Sequence, residues 1–279
     1  MSFEIPVDTW ITTLVNFLMD NAQGLFDVIS LTLDSILFTI EEILFFIPPW
    51  LLVVLITALA AWRGSWRFAI FSGTSLLLVI GMDLWMETVE TLALVIAATL
   101  ISLAIGIPIG ILSARNDQIE RTIRPVLDLM QTMPAFVYLI PAAMFFGLGK
   151  VPGIVATIVF AMPPAVRLTN LGIRQVPKEL VEAGLAFGCT SWQLLMKVQL
   201  PAAKPSIMAG VNQTIMLALS MVVIASMIGA GGLGDTVLRG IQRLDVGLGF
   251  EGGIAVVILA IILDRLTQSF GKNKNGQHN

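Results

Sequence analysis

The chain is poor in charge and nearly empty of the residues that build catalytic or metal sites. Only 13% of its 279 residues are charged, where a soluble globular domain carries about 25%. So few charges cannot clothe a water-facing surface, which excludes a disordered chain and an ordinary soluble enzyme. A single cysteine, Cys189, excludes an internal disulfide. A single histidine, His278 in a polar tail, leaves no metal site of the usual His/Cys type within one chain. No lysine or arginine precedes Arg63, so the N-terminus lacks the basic start of a cleavable leader and is expected to be retained. The net charge of −3 gives no footprint for nucleic acid.

Apolar residues fill the space the charges leave. They make up 56% of the chain, and the mean hydropathy is +0.89. Seven apolar runs stand out, at roughly 43–62, 66–82, 88–113, 127–149, 151–171, 205–230 and 250–268. The cores 91–113, 129–149, 151–166, 205–234 and 252–263 contain no Asp, Glu, Lys or Arg. About 20 helical residues cross about 30 Å of hydrocarbon. Membrane strands would alternate in segments of about ten residues, whereas these runs are continuous, so the reading is helical. The expected fold is an all-α polytopic membrane protein with about seven transmembrane helices. The 66–82 run is short, and Pro48 and Pro49 interrupt the 43–62 run.

The few charges orient the chain. With the 172–204 loop inside, the basic residues divide 13 to 3 in favour of the cytoplasm, and only Lys150, Arg239 and Arg243 fall outside. Residues 1–48 then lie outside with seven acids. Four of these, Asp20, Asp27, Asp34 and Glu41, recur every seven residues. That spacing predicts one slowly drifting stripe on a long amphipathic helix, lying on the outer interface or against neighbouring helices. A further span with tolerated acids is the other reading.

The 172–204 loop reads as two short helices. Pro177 suits a first turn, Gly188 a helix end, and Thr190 with Gln193 has capping-box spacing. The second helix is expected to close near Leu200-Pro201. Within the loop, Glu182-Ala183-Gly184 is followed after three residues by Gly188, and after nine more by Val198-Gln199-Leu200-Pro201. This spacing resembles the EAA loop of permeases of ATP-binding-cassette (ABC) importers, with Gly184 in place of the second alanine and Val198 in place of isoleucine. The segments 128–135, 200–210 and 228–234 are similar to the glycine betaine and proline betaine branch, of the Opu/ProU type. The resemblance covers roughly 85–268.

The resemblance implies a type I importer core at 85–268, after an N-terminal region at 1–47 and accessory helices at 48–84, and before a tail at 269–279. It implies that Glu182, Ala183, Gly184, Gly188, Leu200 and Pro201 dock an ATPase. It further implies a prokaryotic cell membrane, two ATPase copies, an extracytoplasmic substrate-binding protein, and a second copy of this chain as homodimer partner. No Walker A sequence occurs, so no cofactor is expected in this chain; ATP and Mg would sit on the ATPase. Candidate residues for the translocation path are Met133, Phe136, Tyr138, Met162, Asn212, Met216 and Ser220, since aromatic faces attract a trimethylammonium group. The bland reading makes these Met and aromatic residues core.

Other patterns carry less. Gly229–Gly234 satisfies G-x-G-x-x-G, but it ends an apolar run and reads as a turn or a close helix contact. Gly106/Gly110 and Gly249/Gly253 have helix-packing spacing, read first as packing within one chain. Pro108, Pro141, Pro163 and Pro164 should kink or break helices. An ion-coupled transporter or channel is the alternative function, weakened because proton relays use acids or histidine within spans.

Overall fold

The computed structural model describes residues 7–271, and the tail residues Lys272, Lys274 and His278 lie outside them. Among the described residues every regular element is helical. In chain order these are α1 (Val7–Phe46), α2 (Pro49–Arg63), α3 (Trp66–Gly81), α4 (Trp85–Arg115), α5 (Asp117–Thr132), α6 (Leu139–Phe146), α7 (Lys150–Arg174), α8 (Lys178–Ala186), α9 (Ser191–Leu194), α10 (Leu200–Ala225), α11 (Gly232–Arg243) and α12 (Val246–Gly271).

Four stretches are long and apolar enough to cross a membrane: α4, α7, the continuous helix Ser191–Ile228, and α12. Two further pairs qualify only as bent spans. Together with the 16-residue α3, these account for the seven apolar runs. The bent pairs break two of the apolar runs. The 43–62 run turns by 97° between α1 and α2, where Pro48 is extended and Pro49 opens the new helix. The 127–149 run turns by 110° between α5 and the Ala135–Phe146 stretch. Pro134 forces Met133 out of helical geometry, to φ −73° and ψ 138°, so one continuous helix cannot form.

The core is a three-helix stack with α7 between α4 and α10, and glycines set its spacing. A Cβ on Gly106 would stand 2.9 Å from the Ala165 Cβ, and one on Gly110 2.7 Å from both the Thr169 Cβ and the Val166 carbonyl oxygen. The Gly106/Gly110 pair is therefore the α4–α7 contact inside one chain. Across the other face of α7, Gly172 meets Ser206, and Gly210 meets the Pro164 carbonyl. Close backbone approach is how helices associate where no hydrophobic effect drives them together. The second pair divides: Gly249 packs on Gly240 of α11, while nothing lies within 4 Å of a Cβ on Gly253.

Gly110→Val should cost about 2–3 kcal/mol, because a backbone oxygen cannot yield to the new methyls. Gly24→Ala in α1, where a Cβ meets nothing within 4 Å, should be neutral or stabilising. Thermal unfolding of the two detergent-solubilised variants checks this, and equal melting points would refute the packing argument.

Helix α1 packs along the core rather than standing apart. Leu33 and Leu37 are buried in the main cluster with α4, and Ile29, Ile36, Ile40 and Leu44 line it. Phe26 stacks on Phe145 at 4.6 Å. Asp20, Asp27 and Asp34 are exposed on other faces, and Glu41 is half-buried. Non-helical Ala22, at φ −120° and ψ 15°, separates Asp20 from the other three, so the stripe runs on one helix only from Asp27 through Asp34 to the half-buried Glu41.

Candidate functional site

The connection between α7 and α10 is an ordered lever. Pro177 is the residue just before α8, one position earlier than the first turn. Helix α8 closes as a Schellman motif. The Cys189 N–H donates to the Gly184 carbonyl at 3.1 Å, and the Gly188 N–H to the Leu185 carbonyl at 2.9 Å. Gly188 takes φ 79°, the left-handed conformation that favours glycine. Thr190 and Gln193 then form the capping box, each satisfying the other's backbone N–H.

The expected helix end at Leu200-Pro201 is not there. The chain runs from Ser191 to Ile228 as one continuous helix, through a π turn at Leu195–Gln199. The Leu200 N–H donates to the Leu195 carbonyl, five residues back. Proline in an α-helix removes one hydrogen bond and presses its ring on the carbonyl four residues earlier. The wider turn immediately before Pro201 relieves that crowding without ending the helix.

One face of α8 is held down and the other is open. A Cβ on Gly184 would lie 2.7 Å from Leu194 Cδ1 and 3.4 Å from Val198, so the small residue lets α8 sit on the second helix. Val181 joins a small core with Ile173, Val176, Leu195 and Ala203. Glu182 and Ala183 are exposed. Around them stand apolar side chains that the motif does not include: Leu185 is 55% exposed, Trp192 62% and Phe187 91%. A sequence signal for Phe187 existed, since a residue directly before a left-handed glycine sits at the tip of its turn.

A charged pocket of about 330 Å³ lies beside this lever, between the end of α4, α5 and α7. Arg174 pairs with Asp117 at 2.7 Å and Glu120 at 3.0 Å, and Arg167 pairs with Asp128. These pairs tie α5 to α7. Their partial exposure limits each to a small contribution.

The path candidates separate into two groups. Tyr138 is buried, and its hydroxyl donates to the Met130 carbonyl at 2.7 Å, stapling the two limbs of the Pro134 bend. Met133 lies against the same cluster, while Met162 packs beside Leu127 and Val166. The Asn212 amide donates to Asp264 of α12 at 2.9 Å. Phe136, at 58% exposed, Met216 and Ser220 are open. Gln213 shares the open face of α10 with Met216 and Ser220 at helical spacing, and sequence reading passed over it. The Gly229–Gly234 stretch follows a helix, not a strand, and forms the tight turn between α10 and α11.

A bundle of membrane-spanning helices, carrying an exposed ordered lever continuous with a core helix, defines a transport permease driven from outside its own chain. Residues 106–274 match the family described as binding-protein-dependent transport system inner membrane component, and the chain belongs to that family. It is a multi-pass permease subunit of an ABC importer. It is 53% identical over 98% of its length to the glycine betaine/carnitine transport permease protein GbuB of Listeria monocytogenes, covering 98% of that protein. It is 48% identical to the glycine betaine transport system permease protein OpuAB of Bacillus subtilis, covering 99% of this chain and 98% of that one. It is 49% identical to the glycine betaine/proline betaine transport system permease protein ProW of Escherichia coli, covering 99% of this chain and 78% of that one. Its fold matches inward-facing crystal structures of the MetNI methionine ABC transporter, with a TM-score of 0.60 at 23% identity over 65% of this chain and 91% of that one.

Proposed function

We propose that this chain translocates glycine betaine or a related quaternary-ammonium zwitterion into a prokaryotic cell as one half of a homodimeric path. Two copies of a separate ATPase, which binds ATP and Mg, dock on the exposed face of α8 around Glu182. A receptor outside the membrane delivers the substrate. Residues 172–204 and the C-terminus face the cytoplasm, and α1 lies on the outer side. Residues 85–268 act as the permease core, 1–47 as a scaffold and 48–84 as accessory helices.

The observation that carries this reading is the unbroken helix from Ser191 to Ile228. A push on α8 and α9 reaches the path-facing side of α10 as a rigid-body motion. The open face of α10, with Gln213, Met216 and Ser220, would be costly against lipid. It suits a second copy and a weakly binding path, with the exposed Phe136 ring offering a cation–π face.

The test is uptake of labelled glycine betaine by proteoliposomes containing permease, ATPase and receptor. Uptake should require all three and ATP. Uptake by the permease alone, driven by an ion gradient, would overturn the reading in favour of a secondary transporter.

A further inference from the structure

An ionic cluster joins four helices at the end of the core opposite the docking lever. Lys150 opens α7, and its Nζ lies 2.7 Å from Glu41 of α1 and 3.5 Å from Glu90 of α4. The other oxygen of Glu90 accepts the Gly232 N–H, at the start of α11, at 3.1 Å. The Leu233 N–H donates to Thr91 Oγ1 at 2.8 Å. One residue before Lys150, the Gly149 N–H donates to the Ile228 carbonyl at 2.8 Å. Lys150 therefore stands where α7 begins, where α10 ends, and where α11 is capped.

The turn it holds is tightly built. Gly229, Gly231 and Gly232 have φ values of 85°, 81° and 68°. A Cβ on Gly232 would meet Thr91 Oγ1 at 2.5 Å. Ala230 between them is buried in one cluster with Tyr138, Met221 and Ala225. The turn thus closes over the end of α10, whose open face carries Met216 and Ser220.

We propose that Lys150 is a positioning residue of the transport cycle: it orients Glu90 to cap α11 and so holds the 228–232 turn closed, while Glu41 of α1 competes with Glu90 for the same ammonium. Glu41 has the shorter contact and the more buried side chain, 15% exposed against 31% for Glu90. Two carboxylates share one cation. Removing the charge of Glu41 leaves Lys150 to Glu90 alone, which strengthens the cap and favours the closed turn. Removing Lys150 leaves two carboxylates facing each other without a counter-ion. Their repulsion draws Glu90 off the Gly232 N–H and loosens the turn. The two substitutions therefore bias one two-state element in opposite directions. A plain structural staple would be weakened by either.

The inference rests on the ATP-driven reading above. The experiment measures receptor-independent ATP hydrolysis per assembled complex in nanodiscs, with the complex quantified by size-exclusion chromatography. Lys150→Met should raise it about fivefold and Glu41→Gln should lower it about fivefold, within the usual range of coupling between sites. Glu90→Gln keeps the Glu41–Lys150 pair, removes the Lys150–Glu90 pair and weakens the cap, and should follow Lys150→Met, which keeps the test open if that variant does not assemble. Shifts in the same direction for the Glu41 and cap-side variants, a shift on one side alone, or no shift overturn the proposal. A wild-type complex that shows no receptor-stimulated hydrolysis overturns the importer reading instead.

Discussion

Phe187→Asp should weaken capture of the ATPase about 100-fold in a permease that remains folded. Phe187 caps α8 directly before Gly188 and is 91% exposed, so its removal takes nothing from the core. It stands at the edge of the surface formed by Glu182, Ala183, Leu185 and Trp192. Exposed aromatic side chains around a small-residue centre are the groups that dominate interface energies when a partner desolvates them. An aspartate there loses the apolar contact and also has to be buried without a counter-charge. The expected loss in affinity is about 100-fold, or about 2.7 kcal/mol. Binding of purified ATPase to permease in detergent measures it, with the melting temperature as the control for folding. Affinity within about threefold of wild type, too small a change for a hot spot, would move the docking surface elsewhere.

Phe187 also marks where the sequence stopped being informative. Helix ends written in local chemistry were legible: Gly188 in its left-handed turn and the Thr190–Gln193 box are where their residue types put them. Long charge-free cores such as 91–113 gave α4 for the same reason, since hydrocarbon tolerates no other backbone. Hydrophobicity says nothing, however, about direction. The bend at Pro134 lies inside an apolar run, so only the rule for residues before proline could expose it.

Pro201 misled in the opposite sense. Proline is the strongest helix breaker in the alphabet, yet a single π turn absorbs it, and no one-dimensional signal distinguishes the two outcomes. Among the path candidates, residue type could not say which way a side chain points. Asn212 turns to Asp264, whereas Ser220, eight residues on, faces outward. That choice depends on which neighbour each face of α10 meets, a tertiary fact.

Deleting Met196 from the π turn separates docking from transport. The residue is exposed, at 46%, and lies inside the five-residue turn Leu195–Gln199. A π turn holds one residue more than an α turn, so losing one leaves an ordinary α turn and restores the pressure of the Pro201 ring on the carbonyl four residues earlier. The α8 surface itself is unchanged, because Glu182, Ala183 and Phe187 lie upstream and keep their mutual geometry. ATPase affinity in detergent should therefore stay close to wild type. The deletion, though, removes the slack that accommodates Pro201, so the helix kinks there and the push from the docked subunit no longer reaches α10 as one rigid body. Transport per assembled complex should fall by about tenfold or more, a loss of at least about 1.4 kcal/mol in coupling. Substituting Met196 by alanine retains the turn length and should leave transport intact, which separates the loss of a side chain from the loss of the π turn. If the deletion transports as well as the alanine variant, the continuous helix from Ser191 to Ile228 is not the element that carries the push, and the stroke has to enter the core through the contact of α8 with Ile173 and Val176 at the end of α7.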